Sequence, residues 1–328
     1  MISLNQWTEY YTKLLNEDRE EFIENEEFIH KNLEWEISEA EVRMYILIGK
    51  NGKATGPGGI HLEMLKYGGH KLLSLLTKLY KKILQGQKIP EDMKLGYISS
   101  IYKKGDRKTC SNYRGIYVTN PIMKIFTRIV KARVEKEYKD LEEQCGFTTG
   151  RSCTDNIFIL RYLLEKCQER LKPLGLIFID IEKAYDSVPR SLLWKALQEA
   201  RISTQVIDIL KSIYSKSRCQ VKIGPHLSKE FYTSKGLLQG CCVSPILFKI
   251  YMDVCLRTWS KKCQVMGIQI QENYYLHNLL FADDQVIITQ DTDDASYMIR
   301  KLNEEYGKWG LQINMSKTQY LTVNMDDQ

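Results

Sequence analysis

The 328 residues are 43% apolar and 27% charged, a balance that fits one large folded domain or two modest ones and leaves no run of roughly 18 apolar residues to cross a bilayer. The net charge of +6 is uneven: residues 17–41 carry eleven acids against Arg19 and Lys31, and the remainder, with 45 basic and 30 acidic residues, stands at +15. A basic body suits a polyanionic partner, because Lys and Arg gain affinity by releasing phosphate counterions, although a solvated basic surface has the same count.

Residues 1–16 set Trp7, Tyr10, Tyr11, Leu14 and Leu15 at helical spacing ahead of the acidic stretch, which predicts a docking helix and then a solvated linker. The opening residues lack the basic end, apolar stretch and cleavage site of a signal peptide, so an intracellular setting is expected. Ser38-Glu39-Ala40-Glu41 has the form of a capping box for a helix reaching Ile48, broken by Gly49-Lys50-Asn51-Gly52-Lys53 and Gly56-Pro57-Gly58-Gly59. That loop is too short for Walker spacing and has Ala54 where Ser or Thr is required, which excludes a phosphate-loop triphosphatase.

Residues 95–118 read as a hairpin around Lys103-Lys104-Gly105-Asp106-Arg107, and helical periodicity covers 121–137 and 154–170. The apolar run from Leu174 to Ile179 predicts a buried strand delivering Asp180 at its tip, before a helix that starts near Ser187 with Pro189 in its first turn. A helix over 203–215, strands over 218–224 and 229–235, a turn at Gly236 and a helix over 244–259 follow. The apolar segments 279–282 and 286–288 then flank Asp283 and Asp284, a tight turn between buried strands. The nine cysteines form no C-x-x-C pair and no Cys/His cluster at zinc spacing, and read as reduced thiols.

Asp-Asp pairs also occur at Asp293-Asp294, which can cap the next helix, and at Asp326-Asp327 in a polar tail; only Asp283-Asp284 is fastened between two apolar segments. Carboxylates gathered near a core repel one another unless they protonate or bind cations. If the strand ending at Asp180 lies beside the 279–288 hairpin, three carboxylates converge where two Mg²⁺ ions about 4 Å apart could serve a phosphoryl displacement. Taken singly, each element has an ordinary reading, Asp180 as a helix cap and Asp283-Asp284 as turn residues.

Asp180-Ile-Glu-Lys-Ala184-Tyr185-Asp186, Gln239-Gly240-Cys-Cys-Val-Ser244-Pro245 and Phe281-Ala-Asp-Asp284 stand in the order and spacing of reverse-transcriptase motifs. They are supported by Lys103-Lys104-Gly105-Asp106 with Asn112-Tyr113-Arg114-Gly115-Ile116, by Gly146-Phe147 with Gly150-Arg151-Ser152, and by Gly310-Leu311 with Asn314-Met-Ser-Lys317-Thr318. From about Trp7 to its end, the chain resembles the reverse transcriptase domain of non-LTR (LINE-type) retrotransposons. Leu238 stands where LINE relatives commonly carry arginine, and Gly58 where Gly-Pro-Asp-Gly is usual.

The resemblance implies an α+β (mixed α/β) fold: right-hand polymerase fingers and palm, the palm an antiparallel sheet backed by helices, with the thumb absent or vestigial. It implies residues 1–37 as an N-terminal helix and acidic linker, 38–170 as a fingers-like region and 171–328 as the palm. The implied activity is RNA-directed DNA polymerisation with an RNA template, a DNA primer and deoxynucleoside triphosphates as partners, and no membrane. Two Mg²⁺ ions, with Mn²⁺ able to substitute, would sit on Asp180, Asp283 and Asp284, the carbonyl of Ile181 adding a ligand. Tyr185 would lie beneath the incoming sugar and exclude a 2'-hydroxyl. Gln239 and Gly240 would contact the nucleotide, Arg114 with Lys103 or Lys104 would hold its triphosphate, and Lys317 would protonate the departing pyrophosphate. Phe147, Arg151 and the helix from Thr154 would face the template. The rival implication is a non-catalytic, RNA-binding remnant of such an element, and an RNA-dependent RNA polymerase is a second, which Tyr185 and Phe281-Ala282-Asp283-Asp284 oppose.

Overall fold

The computed structural model describes residues 2–23, 35–139 and 143–325. Its strands are β1 Leu95–Tyr102, β2 Tyr113–Thr119, β3 Leu174–Ile179, β4 Arg218–Ile223, β5 His226–Leu227, β6 Phe231–Tyr232, β7 Ile268–Gln271, β8 Tyr274–Leu276, β9 Asn278–Phe281, β10 Asp284–Thr289 and β11 Gln319–Val323. The chain divides into two units, one of residues 1–138 and 189–244, the other of residues 139–188 and 245–328. The fold is mixed α/β, and among the described residues every strand pair but one is antiparallel.

In the first unit, β1 pairs antiparallel with β2 and parallel with β4, and β4 pairs with β5 and β6. The expected 95–118 hairpin is the β1–β2 pair. Helix Leu4–Leu14 docks on it: Trp7 meets the Tyr113 ring edge-on at 5.0 Å, and the Tyr11 hydroxyl lies 3.0 Å from Ser100 Oγ. A Cβ at Gly115 would lie 2.7 Å from the Tyr11 ring, so the missing side chain there admits the helix. Helices Glu39–Leu47, Gly69–Leu84 and Pro121–Glu137 bury Val42, Ile46, Tyr80, Phe126 and Ile129. Ser38 caps the first of these through the Glu41 amide, as its sequence predicts.

In the second unit the sheet order is β11-β3-β10-β9, all antiparallel. β3 is central and buried along nearly its whole length, which is why its sequence is an unbroken apolar run rather than an alternating one. Helix Cys153–Glu169 covers one face through Leu163 and Cys167 against Leu174, Leu176, Leu279 and Ile288. Helix Thr292–Lys308 backs β10 and β3, and Trp259, on helix Ser244–Cys263, donates its indole N–H to the Met298 carbonyl at 2.9 Å.

Several expectations change. The units are discontinuous in sequence, residues 189–244 falling with the first unit, where β4 pairs with β1. Pro189 is the N-cap of helix Arg190–Glu199 and lies outside its first turn; a separate short helix, Ala184–Ser187, precedes it with Lys183 as its N-cap, so Asp180 caps nothing. Asp291 caps helix Thr292–Lys308, while Asp293 and Asp294 lie in its first turn. Of the acidic linker, 24–34 lie outside the described residues, as do Asp326 and Asp327. The Glu17 carboxylate is not solvated: it is buried against Arg19 at 2.7 Å and Lys235 at 3.9 Å. All nine cysteines are free thiols, and no helix among the described residues is long and apolar enough to cross a membrane.

Candidate active site

The sheet of the second unit ends in acids on adjacent strands. β9 and β10 are joined through Ala282 and Asp283, with φ +60° at Ala282 alone, the pattern of a mirror-image hairpin turn. Gln285 pairs with Ile179, the last pair of the β3–β10 ladder, and Asp284 and Asp180 are the next residue of each strand beyond it. Burial first, then the charges of Asp283 and Asp180, pushes the Asp284 carboxyl above the usual carboxylate range.

The segment 312–318 runs along the exit of β3. Asn314 N–H donates to the Asp180 carbonyl at 2.7 Å, Glu182 N–H to the Gln312 carbonyl at 2.9 Å, and Ile181 bridges Ile313 between them. This pair of bonds leaves the Ile181 carbonyl outside it. The same segment brings Lys317 Nζ to 3.3 Å from Asp180 Oδ2, an exposed contact.

Three carboxylates are hard oxygen donors of the kind Mg²⁺ and Mn²⁺ take, and the repulsion felt at Asp284 is one a divalent cation relieves, so their chemistry fits such an ion. Among the described residues no three Asp, Glu, His or Cys side chains already close on one point as a ligand set. Lys317, meanwhile, neutralises one oxygen of Asp180.

Buried amides brace the hairpin from below. Tyr306 Oη donates to Gln285 Oε1 at 2.6 Å, and Gln285 Nε2 donates to Asn278 Oδ1 at 2.9 Å. Sequence reasoning passed over this chain, although an amide on either side of an otherwise apolar hairpin is its signal. Tyr185 stacks on Phe248 at 4.3 Å and meets Phe147 edge-on at 6.3 Å. Phe147, expected only to face the template, is thus an exposed partner of Tyr185.

Arg151 is exposed just before helix Cys153–Glu169 in the second unit, whereas Lys103, Lys104, Arg114, Gln239 and Gly240 belong to the first. Lys103 and Lys104 are exposed at the tip of the β1–β2 hairpin, just past its last pair, Tyr102 with Tyr113, and Arg114 is exposed opposite Ile101. The tip is built: the Tyr102 hydroxyl donates to the Gly105 carbonyl at 2.7 Å, Tyr113 to the Arg107 carbonyl at 2.9 Å, and the Arg107 guanidinium lies 4.8 Å over the Tyr102 ring. The Gln239 carbonyl accepts from Tyr117 N–H at 2.6 Å. Gly240 has φ +116°, and a Cβ there would lie 2.4 Å from the Tyr117 carbonyl oxygen. The close approach that glycine allows is therefore to β2 of its own unit.

The family described as reverse transcriptase (RNA-dependent DNA polymerase) matches residues 101–326. Similar proteins include the transposon TX1 uncharacterized 149 kDa protein of Xenopus laevis, 25% identical over 88% of this chain and 22% of that protein. The probable RNA-directed DNA polymerase from transposon X-element of Drosophila melanogaster is 26% identical over 85% of this chain and 31% of its own length. The Pol polyprotein from the type-1 retrotransposable element R2 of Popillia japonica is 24% identical over 84% and 38%. The chain thus spans well under half the length of these curated relatives. Among solved structures, apo telomerase from Candida tropicalis truncated from its C-terminal domain superposes with a TM-score of 0.53 at 18% identity, over 74% of this chain and 52% of that one. At that identity the likeness speaks to fold alone, a right-hand polymerase architecture.

Proposed function

Because the chain belongs to the reverse transcriptase (RNA-dependent DNA polymerase) family, we propose that it adds deoxynucleotides to a primer 3'-hydroxyl on an RNA template, as part of a retrotransposon. The observation that supports this reading is that Asp180 and Asp284 directly follow the last β3–β10 pair, Ile179 with Gln285, close enough for the Asp180 charge to act on Asp284, with Asp283 in the adjoining turn. Asp180, Asp283 and Asp284, with the Ile181 carbonyl, would hold two Mg²⁺ ions, or Mn²⁺ in their place. When bound, such ions supply Lewis-acid activation of the attacking hydroxyl and neutralise charge on the departing pyrophosphate.

The chain's own groups do the rest. Lys317 carries an ammonium suited to protonating the leaving group, held within reach by its contact with Asp180. Arg114 grips triphosphate oxygens with a planar fork, and Lys103 or Lys104 adds a point charge. Gln239 meets the nucleotide sugar and base, beside Gly240. The test is extension of a DNA primer on an RNA template by the purified chain with Mg²⁺. Extension supports the reading; salt-sensitive RNA binding without extension would favour the binding-only remnant.

Tyr185 would set sugar selectivity. Its ring is fixed by the stack on Phe248, so a 2'-hydroxyl meets an aromatic that cannot turn aside. Tyr185→Val is expected to raise ribonucleotide relative to deoxynucleotide incorporation by roughly tenfold or more, with Tyr185→Phe unchanged. Single-nucleotide kcat/KM for each sugar measures it, and equal discrimination in all three proteins removes Tyr185 from the role.

A further inference from the structure

The turn that carries Asp283 is clamped by a residue from a distant part of the sequence. Gln144 is 1% exposed, and its Oε1 accepts from Gly146 N–H at 2.8 Å and from Ala282 N–H at 3.0 Å. Both neighbours are donors, so the amide cannot be flipped; its oxygen must face them. The consequence is a buried Nε2 with no hydrogen-bond partner among the described residues, a cost of about 1–3 kcal/mol that an ordinary core side chain would not carry. Ala282 needs the clamp because it sits at φ +60°, a conformation that a non-glycine residue holds only under external constraint.

The loop bearing Gln144 is itself anchored. Cys145 N–H donates to the Leu280 carbonyl at 3.0 Å, and Asn156 Nδ2 donates to the same oxygen at 3.0 Å. Thr148 Oγ1 donates to the Gln144 carbonyl at 2.8 Å, and Lys249, fully buried, donates to Thr148 Oγ1 at 2.7 Å. At the same contact, a Cβ at Gly146 would lie 2.1 Å from Ala282 N, 2.8 Å from its Cα and 2.8 Å from Gln144 Oε1. Only glycine lets this loop lie flat against the turn, although the φ of Gly146 is one any residue could adopt.

We propose that Gln144 is a positioning residue of the polymerase reaction, its amide oxygen fixing the Ala282–Asp283 turn so that the carboxylates of Asp283 and Asp284 are set for the divalent ion. The proposal rests on the polymerase reading given above, and its test separates the two. Gln144→Met keeps length and burial but loses the acceptor; Gly146→Ala keeps the amide but drives a methyl group into its contact with the turn, against both Ala282 N and Gln144 Oε1. Amide hydrogen exchange at Ala282, Mn²⁺ affinity by electron paramagnetic resonance, and kcat and KM for a deoxynucleotide are measured on the whole chain.

Gln144→Met is expected to speed Ala282 exchange at least about tenfold, and to weaken Mn²⁺ binding and kcat by roughly 10–100-fold, with KM within about twofold. Gly146→Ala is expected to weaken Mn²⁺ binding by a similar factor. A purely structural role would lower the number of Mn²⁺ sites, through loss of folded protein, without changing the affinity of each. Wild-type Mn²⁺ affinity in folded Gln144→Met, or in Gly146→Ala should the first not fold, overturns the proposal. If the unaltered chain extends no primer, the polymerase reading fails, while exchange and Mn²⁺ affinity still decide the role of Gln144.

Discussion

Asp283→Asn is expected to lower primer extension on an RNA template by on the order of a thousandfold, with the fold and salt-sensitive RNA binding retained. Asp283 is exposed in its turn and contributes nothing to the core, so the amide removes charge at almost no packing cost. Its charge is one of the causes that raise the Asp284 carboxyl, after burial. A carboxyl raised on folding makes the folded state bind protons more readily than the unfolded chain. The resulting penalty therefore grows as pH rises from the ordinary carboxylate range through the raised folded value, is full at neutral pH, and disappears in acid. Metal-free Asp283→Asn should thus melt no lower than the parent at pH 7, and any gain should vanish as pH falls through that window. Melting curves at several pH values, beside primer extension, check both halves. Extension at the parental rate would remove Asp283 from the reaction, and a large drop in melting temperature would mean that the turn needs the acid structurally.

Arg190→Met is expected to destabilise the first unit by about 3–5 kcal/mol, since it strips a buried charged donor from several carbonyls at once. The guanidinium is 6% exposed and donates to the Thr233 carbonyl at 2.5 Å, to Thr233 Oγ1 at 2.9 Å, to the Tyr214 carbonyl at 3.2 Å and to the Gly236 carbonyl at 3.4 Å, while lying 5.1 Å over the Tyr214 ring. It ties helix Arg190–Glu199 to the turn before β4 and to the strand exit that leads to Gln239 and Gly240. Methionine fills the volume yet leaves those carbonyls facing an apolar group. Arg190→Lys should recover only part of the loss, because one ammonium cannot reach both sides of the fork. Urea unfolding followed by tryptophan fluorescence, with Trp194 on the same helix, reads the change. A midpoint equal to the parent's would show that water replaces the guanidinium without penalty.

Wherever a short run of residues carries its own physical reason, its structure was legible beforehand. The unbroken apolar run at Leu174–Ile179 requires burial on both faces, which makes a central strand, and the first charge after it, Asp180, must fall where the strand emerges. The same logic placed a reversal at Asp283, since apolar segments flank it, but the turn is Ala282–Asp283 and Asp284, expected within it, opens β10. Capping was read less well. Asp291 caps the last long helix where Asp293-Asp294 was the pair expected to do so, and Pro189 sits one residue before its helix; in both cases sequence tolerates a shift that only the local backbone decides.

The sequence by itself determined the kinds of element, the family motifs and the acids at two chain reversals, because these follow from local periodicity and from residue types in a fixed order. Tertiary structure alone decided what those residues meet. The parallel pairing of β1 with β4 joins Leu95 to Arg218 and divides the chain into interleaved units, which no local pattern announces. That Asp180 and Asp284 come to the same end of the sheet depends on register between strands a hundred residues apart in the chain, about which each strand's own composition is silent. Gln144 shows the same limit most plainly. In sequence it is a polar residue before a glycine, and it becomes a clamp only when folding carries it to an amide 138 residues away.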